Sequence, residues 1–550
     1  MLSEIRNRIS IRNIRANGLL ILSAFAFLAL NLQRDPQKII AVAAALPVIV
    51  LFFAMAPDIP GRCRKLPVGI RVYALVSAAG ICLYAQQSFV SRTLNALGNG
   101  QRVLLTAGSI AAALVGMIAV YALVSLLIER VSGTLKPLLR KMSGAEIAVC
   151  AAITAALAVY ACYAFANSTA FWNPGTSYEV IYTSDSPSMI EPNVFLWLYH
   201  PENDLRQPLF AVFAAPLTAP AYLLSVPASM LLSGPNPGLS RMITPLLMNL
   251  MQIGLLMTAN LMLTEMLGLS GKDRICFLLI LAVSYMTMLF SVMIEQYIIA
   301  YFWLIFAACT HVKDGKASVI AVSAAGGTLL TSLAVMPLAY RAETDGKGLK
   351  PFLRAMVRTG LGFLMMFFAF GRLDTVMGFG KKAGILASFA GGGSLSERIN
   401  QYLAFITSCF AAPDAAKTVI QGHPSWQLTG QNMLHTDYAG LIILVICIIS
   451  IVINRRDRAA RIAGAWIGFS ALLLLAVGWG APENGMILYT LYFGWAFAVL
   501  LFRLLQRAAE KLKFGLLTPL VTCTIVVLLG WINFRGIGEL LAFAFSCYPG

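Results

Sequence analysis

The stretch that decides the fold is VLLTAGSIAAALVGMIAVYALVSLLI, residues 103–128. It holds no charged residue, and Arg102 stands before it with Glu129 and Arg130 after it. A helix rises about 1.5 Å per residue and a bilayer core is about 30 Å thick, so this run is long enough to cross a membrane. Its apolar residues are continuous rather than alternating, which excludes a strand of a spanning barrel. Similar runs recur along the whole chain, and hydrophobic residues make up 59% of the 550 positions against 12% charged. A soluble chain carries roughly 25% charged residues. Together with a mean hydropathy of +0.78, this makes lipid the solvent and the fold an all-α polytopic membrane protein.

Apolar runs predict spans at about 17–32, 38–57, 68–87, 145–168, 242–267, 275–293, 296–311 and 358–371, besides 103–128. Four more close the chain, at about 438–454, 462–480, 485–504 and 514–534. With the ambiguous runs 208–232 and 318–340, the expected total is about 13–15 transmembrane helices. The regions are then 1–144, four N-terminal spans; 145–371, a core with an outside loop at 169–207; 372–437, a second outside loop; and 438–550, the C-terminal spans.

The formal charge of +17 sits in short clusters between spans. Arg62, Arg64, Lys65 and Arg71 form one, Arg130, Lys136, Arg140 and Lys141 another, and Arg455, Arg456, Arg458 and Arg461 a third. That is the positive-inside pattern, and it places the N-terminus, with Arg6, Arg8, Arg12 and Arg15, in the cytoplasm of a bacterial-type cell. No basic face large enough to track a phosphate backbone exists, so nucleic acid is excluded as a partner. Ten cysteines are scattered singly with no C-x-x-C, as expected of small hydrophobes in helix packing.

Two runs resist simple parity. Residues 208–232 are apolar but cut by Pro208, Pro216, Pro220 and Pro227. If they span, Lys272 and Arg274 fall outside; if they are re-entrant or interfacial, that basic loop falls inside, which charge prefers. Residues 318–340 carry Gly326-Gly327, and parity there requires the run to double back near the glycines.

Chemistry is sought in the loops. Residues 169–207 are acidic and aromatic, with Asp185 among small hydroxyls in Thr183-Ser184-Asp185-Ser186-Pro187. A carboxylate at a bilayer surface can take a proton from an attacking hydroxyl. His200 and Arg206 stand at the head of the proline-cut run, and arginine's planar fork suits a phosphate. Glu295 lies between two apolar runs, and an ionisable residue at the membrane is costly unless it works. Residues 410–438 add His423, Trp426, Gln427, Gln431, Asn432, His435, Asp437 and Tyr438, a polar and aromatic set suited to sugar or lipid-head contacts. Gly378-Phe379-Gly380-Lys381-Lys382-Ala383-Gly384 follows no strand and reads as a flexible loop. P-loop, H-E-x-x-H and G-x-S-x-G motifs are absent.

These features resemble the GT-C superfamily of polyprenyl-phosphate-sugar-dependent membrane glycosyltransferases, which includes the protein mannosyltransferase and aminoarabinose transferase types. Tyr182-Thr183-Ser184-Asp185 is similar to the family's acidic position in its first outside loop. His200-Pro201 and Gln207-Pro208-Leu209-Phe210 through Ala215-Pro216-Leu217 resemble the interfacial segment that follows. Glu295 to Tyr301 resembles the acid-bearing turn, and Gly326-Gly327-Thr328-Leu329-Leu330-Thr331 the later glycine-rich span. The resemblance covers about 145–371. Four spans precede this core where the family usually has none, Asp185-Ser186 stands in place of an Asp-Glu pair, and Ser332 stands near the place of the family's lysine.

The resemblance implies a lipid-linked sugar donor and an acceptor glycan, lipid or protein at the outer membrane face. Asp185 would be the general base, His200 and Arg206 would steady the departing phosphate, and Glu295 would hold a divalent metal ion or the acceptor. His423 would add a substrate contact. Two other readings stay open: a transporter or flippase for a lipid-linked or amphipathic solute, and a surface-polysaccharide polymerase or ligase working through 372–437.

Overall fold

A computed structural model describes residues 10–32, 36–94, 99–173, 205–314, 318–335, 349–388, 390–391, 393–429, 437–480 and 485–550, with 175–176, 180–182, 184, 189–190 and 193–200 of the first long loop. The chain is helical as expected. Among the described residues ten helices are long and apolar enough to cross a membrane, and three shorter apolar helices accompany them.

The N-terminal region contributes α1 (Ile11–Ala16), α2 (Gly18–Leu30), α3 (Pro36–Met55), α4 (Ile59–Arg64), α5 (Val68–Leu94) and α6 (Asn99–Lys141). The core follows with α7 (Gly144–Asn167), α8 (Phe210–Leu232), α9 (Pro237–Met266), α10 (Gly271–Val283), α11 (Tyr285–Phe290), α12 (Gln296–Asp314) and α13 (Val319–Thr328). Every residue of α12 from Gln296 to His311 is buried. A helix that is apolar all round belongs at the centre, and α12 is the axis of the bundle.

Two ends of the bundle are defined by hydrogen bonds. At one, Arg274 reaches Glu146 at 2.8 Å and Glu265 at 3.9 Å, while Lys313 meets Glu265 at 2.8 Å. This collects the start of α7, the end of α9, the start of α10 and the end of α12. Glu146 also closes the cap of α7 on Ser143 and accepts from the amide of Gly271, whose φ of +56° favours glycine. At the other end, Thr169 after α7 donates to the carbonyl of Tyr548, and the Ser168 hydroxyl donates to the same carbonyl. With 24 residues, α7 separates the two ends by about 36 Å.

The proline-cut segment is one continuous helix, α8, of 23 residues, long and apolar enough to cross a membrane. Pro220 has no N–H to offer the carbonyl of Pro216. That carbonyl accepts instead from the hydroxyls of Tyr73, at 3.1 Å, and Ser77, at 3.2 Å, both on α5. Neighbouring helices thus re-satisfy the backbone that proline frees.

The parity conflict resolves elsewhere. Ser225 pairs with Thr244 and Ser229 with Ser240, so α8 and α9 are antiparallel. Because α9 ends among the basic residues, α8 begins deep in the bundle, where the Trp303 indole of α12 donates to the Phe213 carbonyl. The irregular residues 205–209 lead into α8 inside the bundle, and Lys272 and Arg274 lie at the same end as Lys313. In the run 318–340, α13 stops at Thr328, and residues 336–340 lie outside the described ones.

The predicted span at 358–371 is α14 (Leu349–Ala369), which begins earlier. The second expected loop after it is largely structured, with α15 (Leu373–Met377), α16 (Phe379–Ser388), α17 (Leu395–Ser408) and a hairpin of β1 (Ala415–Ile420) and β2 (His423–Leu428). The run 378–384, read as a flexible loop, is mostly the start of α16. The chain closes with α18 (Tyr438–Ile453), α19 (Arg458–Ser470), α20 (Thr490–Lys511) and α21 (Leu517–Cys547).

Candidate functional site: a buried loop among broken helices

Residues 193–200 and 205–209 are nonhelical and packed inside the bundle. Phe195, Tyr199, His200, Gln207 and Leu209 are all buried. Irregular backbone at this depth survives only where protein satisfies its polar groups. Here the Leu209 amide donates to the Gly327 carbonyl at 2.9 Å, and the Leu330 amide donates to the Arg206 carbonyl at 2.8 Å. The glycine pair earns its place: a Cβ at Gly327 would stand 2.7 Å from that of Leu209. Arg206 and the glycine-rich run, far apart in sequence, are therefore neighbours. Beyond the break, Ser332 shares a 2.6 Å hydrogen bond with the Tyr492 hydroxyl of α20.

Glu295 sits in a second break, the linker between α11 and α12, and is fully buried. It lies 18 residues before Lys313, about 27 Å along α12 from the basic end. Two amides on one face of α9 hold this linker: Asn249 donates to the Ser291 carbonyl at 2.7 Å, and Gln252 donates to the Glu295 carbonyl at 3.1 Å. The other amide oxygens of Asn249 and Gln252, and both amide atoms of Gln207, are buried without a hydrogen-bond partner among the described residues. Buried polar groups of this kind cost about 1–3 kcal/mol each and mark a place built for something other than stability. Asn249 and Gln252 did not stand out in the sequence, because a lone Asn or Gln in an apolar run carries no motif.

His200 lies against the edge of Trp197, with ring centroids 4.8 Å apart. Burial, and then the nearby Lys38 ammonium, push its imidazole down to about 4. It is neutral at ordinary pH, so it can offer a phosphate a hydrogen bond but no charge. The cations here are ones the sequence reading missed. Lys38 donates to the Tyr199 carbonyl at 3.0 Å, and Arg372 donates to the Leu198 carbonyl at 3.0 Å. Both also lie over the Tyr199 ring, and Asp374 stands 3.5 Å from Arg372.

The two loops singled out from sequence do meet. Ile181 bridges to Trp426 of β2, with the Tyr182 amide donating to the Trp426 carbonyl at 2.9 Å and the Trp426 amide to Val180 at 2.8 Å. The Trp426 indole donates to the Tyr182 hydroxyl, which lies 2.8 Å from that of Tyr285. Burial raises the Tyr182 phenol to about 12, so it stays protonated. Tyr182 holds a left-handed φ of +48°, a strained turn three residues before Asp185. Asp185 itself lies outside the described residues, as do Gln431, Asn432 and His435. His423 opens β2, pairs with Ile420 across the hairpin turn and is only half-buried. Among the described residues no group of three His, Cys, Asp or Glu side chains is placed to hold a metal ion. No family model, curated protein or solved structure matches this chain.

Proposed function

We propose that this chain is a membrane glycosyltransferase that moves a sugar from a polyprenyl-phosphate donor to an acceptor at the membrane face opposite its basic end. The observation that carries the reading is the burial of residues 193–200 and 207–209, with Arg206 and Leu209 tied to the break after Gly326-Gly327. A bulky lipid-linked substrate needs polar groups beside an apolar wall, and these residues supply both. Glu295, buried about 27 Å from the basic end, adds a carboxylate near the far boundary of a bilayer core about 30 Å thick. In the positive-inside sense that boundary is the outer one.

In this reading Asp185 takes the proton of the acceptor hydroxyl as that oxygen attacks the anomeric carbon, and the lipid phosphate leaves with the bonding electrons. Arg206 stabilises the departing phosphate and neutral His200 hydrogen-bonds it. Glu295 orients the acceptor. The test is transfer of label from a polyprenyl-phosphate sugar pool to a lipid-free product in membranes carrying the chain. Transfer that Asp185→Asn abolishes is the expected result. Movement of an intact lipid-linked solute across vesicles without a new glycosidic bond would replace the enzyme with a transporter. Transfer untouched by Asp185→Asn but lost in His423→Ala would move the site to the hairpin, as a polysaccharide polymerase or ligase requires.

A further inference from the structure

Away from the buried loop, a groove of about 340 Å³ runs between α10, α20 and α21, walled by Phe277, Phe502, Leu505, Ile525 and Leu529. Its lining is wholly side chains of apolar residues, and Leu528 on its rim is 58% exposed, so it opens sideways between spans. Along α20 it extends from Ala498 to Leu505, about 10 Å, with Phe410 at its far end. It therefore runs parallel to the helices, the direction a lipid tail takes in a bilayer.

The chemistry changes at the basic end. Lys511 lies six residues beyond Leu505, about 9 Å further along α20. The Lys272 ammonium at the head of α10 donates to the Gly515 carbonyl at 2.7 Å, joining α10 to the turn before α21 over the groove's mouth. Lys513 stands in that turn, and all three lysines are exposed. The acids close by are already engaged: Glu510 with Arg507, Asp457 with Arg503, and Asp273 with Gln506. Among the described residues Lys272, Lys511 and Lys513 have no carboxylate partner. Leu512, Phe514 and Leu516 alternate with them and are exposed, an arrangement that seats a turn at headgroup depth.

From this geometry we infer that the groove is a binding site for one acidic glycerophospholipid, its acyl chain between α10, α20 and α21 and its phosphate under Lys272, Lys511 and Lys513. The apolar walls take any tail, since lipid is as apolar as leucine, and contact depends on fit. The selectivity comes from the lysines, because a juxtamembrane cation cluster favours anionic headgroups. The inference does not depend on the proposed transferase activity.

The test uses the full chain in mild detergent, mixed with equimolar phosphatidylglycerol and phosphatidylcholine and read by native mass spectrometry. The expected result is one retained lipid, with phosphatidylglycerol preferred about tenfold. The triple variant Lys272→Gln/Lys511→Gln/Lys513→Gln should keep a lipid but lose the preference, and the triple change to arginine should restore it. Ala498→Trp should fill the groove and abolish retention without lowering the melting temperature; Leu528→Trp on the exposed rim serves if that variant fails to fold. Retention of neither lipid, equal retention of both, a second copy of the chain held in place of a lipid, or an unchanged lipid signal in the groove-filling variant would each overturn the assignment.

Discussion

The Tyr73 hydroxyl lies 3.1 Å from the Pro216 carbonyl, the one acceptor that Pro220 leaves without a helical donor. This contact lets α8 remain continuous through its prolines, and Ser77 backs it up at 3.2 Å. Removing both hydroxyls, in Tyr73→Phe/Ser77→Ala, strands a buried carbonyl and should cost about 1–3 kcal/mol. Either single change should cost less, because the other donor remains. Thermal melting of the detergent-solubilised chain checks this, and equal melting temperatures for wild type and the double variant would refute it.

The Glu146–Arg274 pair is almost fully buried, at 2.8 Å, and clamps α7 to α10. Breaking a buried pair strands one charge, so Glu146→Gln and Arg274→Met should each destabilise by about 3–5 kcal/mol. The double variant Glu146→Gln/Arg274→Met should recover most of that loss, since no lone charge remains. Strictly additive losses in a double-mutant cycle would show that the residues do not act as a pair.

Glu295→Gln keeps size and shape but removes the charge. If Glu295 orients the acceptor, transfer in membranes should fall about a hundredfold while the protein accumulates and melts normally. A variant that melts normally and transfers at the wild-type rate would take Glu295 out of the site.

His200 gives the fold a pH dependence whose sign is set. Its imidazole is held down to about 4 when folded, against about 6.5 in an unfolded chain. The unfolded state therefore binds the proton more readily. The contribution is fully present above about pH 6.5 and is lost as pH falls towards 4, at up to about 1.4 kcal/mol per pH unit. His200→Gln should flatten the melting-temperature profile between pH 6.5 and 4. An unaltered profile would assign that slope to other groups.

Much of the architecture was legible in residue order because lipid is a strict solvent. A run such as 103–128 has to be a helix there, since nothing in hydrocarbon would satisfy its backbone. The basic clusters were equally legible: Arg274 and Lys313 do share an end. The errors fell where neighbours decide. Pro216 and Pro220 argued for a broken segment because the hydroxyls that rescue them sit some 140 residues earlier. The hairpin at 415–428 was overlooked because a two-stranded ribbon has little period of its own. It persists by adding Ile181 at its edge and stacking Trp426 on Phe543.

The candidate site divides in the same way. Residue order alone determined that His200, Arg206 and Glu295 stand out, because polar or charged groups amid apolar runs are costly unless used. It also determined that the chain is a bundle of membrane helices. Only the tertiary structure decided that residues 193–200 and 205–209 pack inside the bundle rather than lying over its surface. It also brought Lys38 and Arg372 to Tyr199, and set Asn249 and Gln252 to hold the Glu295 linker. The physical reason is range. Hydropathy acts residue by residue and can be read along the chain. A buried carbonyl or cation is satisfied by whatever group packing delivers, and packing is a property of the assembled bundle.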